Sequence, residues 1–114
     1  MIIEDAHLQF AGTLTKRKTT TDLVLHHAES ENATVEDIHQ WHLERGWLGI
    51  GYHYYIRGDG SVWRGRPEDT VGAQAKGANE FSIGICFEGN YQKDTEMPAA
   101  QLEAGKELIG DIKS

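Results

Sequence analysis

Residues 52–64, YHYYIRGDGSVWR, set two short runs of aromatic and β-branched side chains on either side of Gly58-Asp59-Gly60. Such side chains suit a pleated surface, and a glycine-aspartate-glycine turn supplies the backbone angles of a tight reversal. The segment therefore predicts two antiparallel strands, Tyr52 to Arg57 and Ser61 to Arg64, and commits the chain to a sheet. Strand alternation sets Tyr52, Tyr54 and Ile56 on one face and His53 and Tyr55 on the other.

Other segments supply partners for this hairpin. The polar stretch KRKTTTD gives way to the apolar run Leu23 to Leu25, which ends at His26 and His27. This reads as a buried strand that finishes at a site. Val24 and His26 share one face while Leu25 and His27 share the other, so only one histidine faces a given pocket. Ser82 to Glu88 reads as another strand. Its Ile83, Ile85 and Phe87 point one way, and Gly84, Cys86 and Glu88 the other, where two small residues permit a close approach.

Two helices complete the pattern. Thr34 and Asp37 form a capping pair ahead of a helix from Val35 to Arg45, with Gly46 as its terminator. Val35, Ile38, Trp41 or His42, and Arg45 follow the helical rhythm of one face. His39 and His42 lie one turn apart, a spacing that can clamp a metal; without an adjacent glutamate, packing or surface roles are favoured. Pro67 to Glu80 reads as a loop in which Gly72, Gly77 and Asn79 permit unusual backbone angles. Pro98 opens a second helix to Lys113, with Leu102, Leu108 or Ile109, and Ile112 on its apolar face. The sum is one α/β domain spanning residues 1–114, with four strands and two helices.

Composition narrows the partners. The 114 residues suit one domain with one hydrophobic core. Eighteen acidic residues against eleven Lys and Arg give a net charge of -7, which argues against duplex DNA, RNA or anionic lipid as the main partner. No run approaches the roughly 18 apolar residues of a membrane span, and MIIEDAHLQF has no signal-peptide pattern, so synthesis in the cytoplasm is expected. Cys86 is the single cysteine, which excludes an internal disulfide and suits a small buried side chain.

The segments LVLHHAES, IHQWHLERGWLGIGYHYYIRGDGSVWRGRP and VGAQAKGANEFSIGICFEGN together resemble the type 2 N-acetylmuramoyl-L-alanine amidases. That family includes phage and prophage endolysins and the peptidoglycan recognition proteins, and the resemblance runs from Leu23 to the last residue. It implies a mixed central β-sheet flanked by helices. It also implies a zinc-activated water that cleaves the amide between N-acetylmuramic acid and the L-alanine of the stem peptide. Three protein ligands leave zinc a fourth position for that water, whose pKa falls to about 7.

By the same resemblance His26 is the first zinc ligand and His27 faces away. Tyr52 is the catalytic tyrosine beside the metal-bound water, followed by His53 as a supporting residue near the substrate. Lys76 and Asn79 belong to a substrate-contacting loop with Gln74, which stands where GAHAKG is usual and so lacks a chargeable ring. Glu88 is expected to serve structure rather than catalysis. Family members continue into a GHRD-like histidine and a CPG-like cysteine, the second and third zinc ligands, and neither motif occurs up to Ser114.

The expectation is a C-terminally truncated amidase domain with little zinc and little hydrolysis of its own, acting on the cell wall after release. Its partners are peptidoglycan and muropeptides. Two alternatives compete with it: a non-catalytic muropeptide-binding module, and a fragment that self-associates as a homodimer through an exposed sheet edge.

Overall fold

The computed structural model describes residues 1–91 and 96–114. Its strands are β1 (Ile3–Glu4), β2 (Asp22–His27), β3 (Tyr54–Ile56), β4 (Val62–Arg64) and β5 (Ser82–Phe87), and its α-helices are α1 (Val35–Glu44) and α2 (Ala99–Lys113). They form a five-stranded mixed sheet in the order β1-β4-β3-β5-β2. Only the β3–β4 hairpin is antiparallel; β1 with β4, β3 with β5, and β5 with β2 run parallel. The expected mixed α/β architecture is present, with one strand more than the four anticipated. β1 has two residues and no alternating pattern, and it exists because Ile3 and Glu4 pair with Val62 and Trp63.

The two sheet faces carry separate cores. On one, Tyr54, Ile56, Val62, Ile83, Ile85 and Phe87 pack with Ala104 and Leu108 of α2. On the other, Tyr55 and Cys86 pack with Ile50, Ala33, and Val35 and Ile38 of α1. The alternation read for Ser82 to Glu88 thus holds, and Cys86 is a buried packing residue. Tyr52 departs from its expected face: it packs with Tyr55 and Cys86, away from Tyr54 and Ile56. The regular strand starts only at Tyr54, and a bend at His53 resets the alternation before it.

The helix ends follow the sequence signals. Thr34 Oγ1 accepts from the Asp37 amide at 3.1 Å, the Asp37 carboxylate accepts from the Thr34 amide at 3.0 Å, and Gly46 takes φ +85°. On α1, His42 is buried and Trp41 is 44 % exposed, which resolves the choice between them. On α2 the expected face is partly wrong, because Leu102 is exposed while Gln101 is fully buried. The Gln101 amide donates to the Ile56 and Glu88 carbonyls at 2.9 and 2.8 Å, fastening the helix to the ends of β3 and β5. Apolar periodicity cannot find a helix face anchored by a glutamine.

Buried histidines brace the loops. Two of them, one turn apart on α1, grip consecutive backbone amides: His39 Nδ1 accepts from Ile50 at 3.0 Å, and His42 Nδ1 from Gly51 at 2.9 Å. His53 Nδ1 accepts from the Gly84 amide at 3.0 Å, and its Nε2 donates to the Thr70 carbonyl at 2.7 Å. Burial lowers the pKa of His53 to about 4, outweighing the opposite pull of the Thr70 carbonyl. Burial, reinforced by Arg45 and Arg66, also lowers that of His42 to about 4. Glu88 accepts from Arg57 at 3.2 and 2.8 Å and from the Gly58 amide at 2.8 Å. It pins the hairpin turn to the end of β5, a structural role.

These contacts set two expectations for stability. The unfolded chain protonates His42 and His53 near pH 6.5, while the folded chain resists until about 4. Their contribution is therefore complete above pH 6.5 and is lost as pH falls toward 4, by at most roughly 3 kcal/mol per ring. Urea unfolding between pH 7 and 4.5 should show that decline, and a flat profile would contradict it. Gln101→Leu, which removes both of these hydrogen bonds, should cost about 1–3 kcal/mol in the same assay; an unchanged midpoint would remove Gln101 as an anchor.

Candidate active site

The parallel β2–β5 ladder sets Val24 beside Gly84 and His26 beside Cys86. His26 therefore leaves the end of β2 on the face covered by α1. There its ring lies 5.2 Å from the ring of Tyr52, which in turn lies 5.6 Å from that of His42. Nε2 of His26 is hydrogen-bonded to Oε1 of Gln74. His27 points to the opposite face, where its Nδ1 accepts from the Tyr91 amide at 3.1 Å. The two side chains face opposite ways, as strand alternation predicts.

Tyr52 is held protonated. Burial raises its pKa well above the ordinary phenol range, and the neighbouring Cys86 thiol adds to the effect. Its hydroxyl is thus a hydrogen-bond donor at neutral pH, suited to a carbonyl oxygen or a developing oxyanion rather than to base catalysis. Burial also pushes the Cys86 thiol up to about 12, which leaves it inert as a nucleophile.

A cleft of ≈ 280 Å³ opens beside Tyr52, lined among others by His42, Glu29, Trp41 and Arg45. Trp41 is 44 % and Trp47 37 % exposed, and the Arg45 guanidinium lies 5.4 Å over the Trp47 ring. The rim thus offers flat apolar surface next to charge. Sequence periodicity missed this, because it treats any tryptophan on a helix as a core candidate. A larger hollow of ≈ 660 Å³ lies between the Thr15 to Thr21 segment and Phe81, and neither His26 nor Tyr52 lines it. The chemistry is therefore read from side-chain geometry rather than from cavity size.

The residues expected to contact substrate divide. Lys76 is exposed on its loop, next to Gly77 at φ +88°. His53 is fully buried, with both ring nitrogens engaged by the protein. Asn79 is likewise turned inward, its Oδ1 accepting from the amides of Gln74 and Ala75 at 2.9 Å each. Gln74 spends its side chain on the protein too, since its Nε2 donates to Ser82 Oγ at 2.8 Å. The small-residue face of β5 explains its placement: a Cβ on Gly84 would lie 2.5 Å from Gln74 Cδ. The close approach expected at Gly84 is made by this glutamine.

A zinc centre requires converging ligands. His26 offers one imidazole, and both ring nitrogens of His39 are taken, by the Ile50 amide and by the Gln9 carbonyl at 2.8 Å. Among the described residues no three His, Cys, Asp or Glu side chains converge on a metal position. These residues do not make a three-ligand zinc site.

Residues 16–114 match the family model described as N-acetylmuramoyl-L-alanine amidase. The endolysin of Klebsiella phage KP32 is 37 % identical over 106 residues, an alignment covering 87 % of this chain and 70 % of that protein. An N-acetylmuramoyl-L-alanine amidase endolysin, LysCS from Clostridium intestinale, superposes with a TM-score of 0.89 at 35 % identity, covering 96 % of this chain and 74 % of its own. A point mutant of the Drosophila peptidoglycan recognition protein PGRP-LB, solved in complex with tracheal cytotoxin, superposes with a TM-score of 0.83 at 26 % identity, covering 95 % and 72 %. The family match over residues 16–114, the endolysin relative and the superposed amidase agree: this chain belongs to the type 2 N-acetylmuramoyl-L-alanine amidase family, which includes the peptidoglycan recognition proteins.

Proposed function

We propose that this chain binds the junction between glycan and stem peptide in peptidoglycan and serves the hydrolysis of the amide joining N-acetylmuramic acid to L-alanine. The observation that carries this reading is the pairing of His26 with Tyr52, rings 5.2 Å apart; Tyr52, with His27 and His42, also lines the cleft beside α1. Tyr52 donates a hydrogen bond to the amide oxygen as charge develops there. His26 contributes an imidazole at the reacting group. Trp41 supplies a plane against which a sugar ring can lie, and Lys76 a flexible cation for a stem-peptide carboxylate.

A zinc ion held in part by His26 would supply Lewis-acid polarisation of the scissile carbonyl and a more acidic water. The family membership supports that requirement, and His26 is this chain's contribution to it. Because the described residues bring no second and third ligand to the same point, the 114-residue polypeptide by itself has weak zinc affinity and slow turnover. The neighbour solved with tracheal cytotoxin supports binding as the more robust half of the function.

Calorimetry with N-acetylmuramoyl-L-alanyl-D-isoglutamine should show saturable binding with and without added zinc, while product amine accumulates slowly. Absence of binding in both conditions would sink the proposal. Stoichiometric zinc with rapid release of stem peptide from purified walls would overturn the weak-metal half of it. Tyr52→Phe should lower whatever hydrolysis is measured by roughly 10²–10³-fold, the usual effect of losing one oxyanion donor, while changing muropeptide affinity far less. An equal loss in affinity and rate would make Tyr52 a binding residue only.

A further inference from the structure

Gln74 connects His26 to Ser82 across the α1 face of β5, and the direction of each hydrogen bond in this chain of groups follows from the next. Ser82 Oγ donates to the Ala78 carbonyl at 2.7 Å, so only its lone pairs remain for Gln74. The group of Gln74 that meets Ser82 Oγ at 2.8 Å must then be the amide nitrogen. The carbonyl oxygen is left facing Nε2 of His26. A carbonyl oxygen accepts only, so Nε2 carries the ring proton and the lone pair of the neutral ring lies on Nδ1.

We propose that Gln74 is the positioning residue of His26, holding the imidazole as its Nε2-protonated tautomer and leaving Nδ1 as the ring's single acceptor atom. The clamp is built in depth. The Gln74 backbone N–H donates to Asn79 Oδ1 at 2.9 Å, which fixes the loop carrying the clamp. Ser82 is fully buried, and Gly84 has no side chain to push the glutamine off the strand. A primary amide also has fixed polarity over the physiological pH range. It accepts at His26 and donates at Ser82 simultaneously, where an imidazole in its place would have two neutral tautomers and a charged form. The use of Nδ1 in peptidoglycan chemistry rests on the function proposed above; the tautomer does not.

Long-range ¹H–¹⁵N correlation spectra of the histidine-labelled polypeptide at about pH 8, where ordinary imidazoles are neutral, read this directly. His26, assigned by the signal missing in His26→Gln, should appear as the Nε2-protonated form alone, with a slowly exchanging ring proton. In Gln74→Met and in Ser82→Ala that proton should exchange at least about tenfold faster, the factor expected for losing one hydrogen bond of ordinary net strength. Gly84→Ala should do the same with Gln74 still in the sequence. A native His26 protonated on Nδ1, or ring-proton exchange unchanged in both Gln74→Met and Ser82→Ala, would overturn the proposal. Muropeptide titration of the same samples separates the two readings. Lost binding with the tautomer intact counts against the function alone, and intact binding with the wrong tautomer counts against the clamp alone.

Discussion

In the parallel ladder joining β2 to β5, Val24 lies beside Gly84 and His26 beside Cys86. One face of the pair thus carries an imidazole next to two positions that occupy little room. Two parts of the site use that space: Gln74 lies against Gly84, and Tyr52 packs against the cluster containing Cys86. Sliding β2 by one residue would turn His26 to the α2 face and bring His27 into its place. The apolar side chains of β5, alternating toward the α2 core, resist such a slip, so the packing of one core fixes the chemistry on the opposite face.

The histidines show how residues of one type come to do different work. His39, His42 and His53 each receive a backbone amide on Nδ1, and burial keeps the last two neutral. They replace backbone pairing where loops cross the sheet ends, satisfying amides that burial would otherwise leave unbonded. His26 differs in being only partly buried and in contacting a side chain rather than the backbone. Its neighbour Gln74 presents a carbonyl oxygen, which accepts only. The buried carboxylate beside the hairpin, Glu88, is neutralised by Arg57.

Much of this was legible in the chain. The hairpin, the capping box of α1, the opposed faces of His26 and His27, and the bareness of β5 at Gly84 and Cys86 are consequences of local propensity and strand alternation. Long ordered motifs carried the family. Less legible were β1, which exists only through pairing with β4, and the face of Tyr52, which a bend at His53 inverts. The buried face of α2 was misread because Gln101 anchors it with hydrogen bonds rather than apolar area.

The amino-acid sequence by itself thus determined four of the five strands, both α-helices, the family to which the chain belongs, and that β5 leaves room for a close approach. Those properties depend on neighbours within a few residues, where alternation, caps and turns act. Only the tertiary structure decided what comes close. Gln74, Asn79 and His53, each expected at the substrate, are turned into the protein, because Ser82, Ala75 and Gly84 offer them hydrogen bonds there. Whether a polar side chain faces a ligand or its own backbone depends on which buried donors and acceptors need partners. That account closes only when segments distant in sequence are brought together.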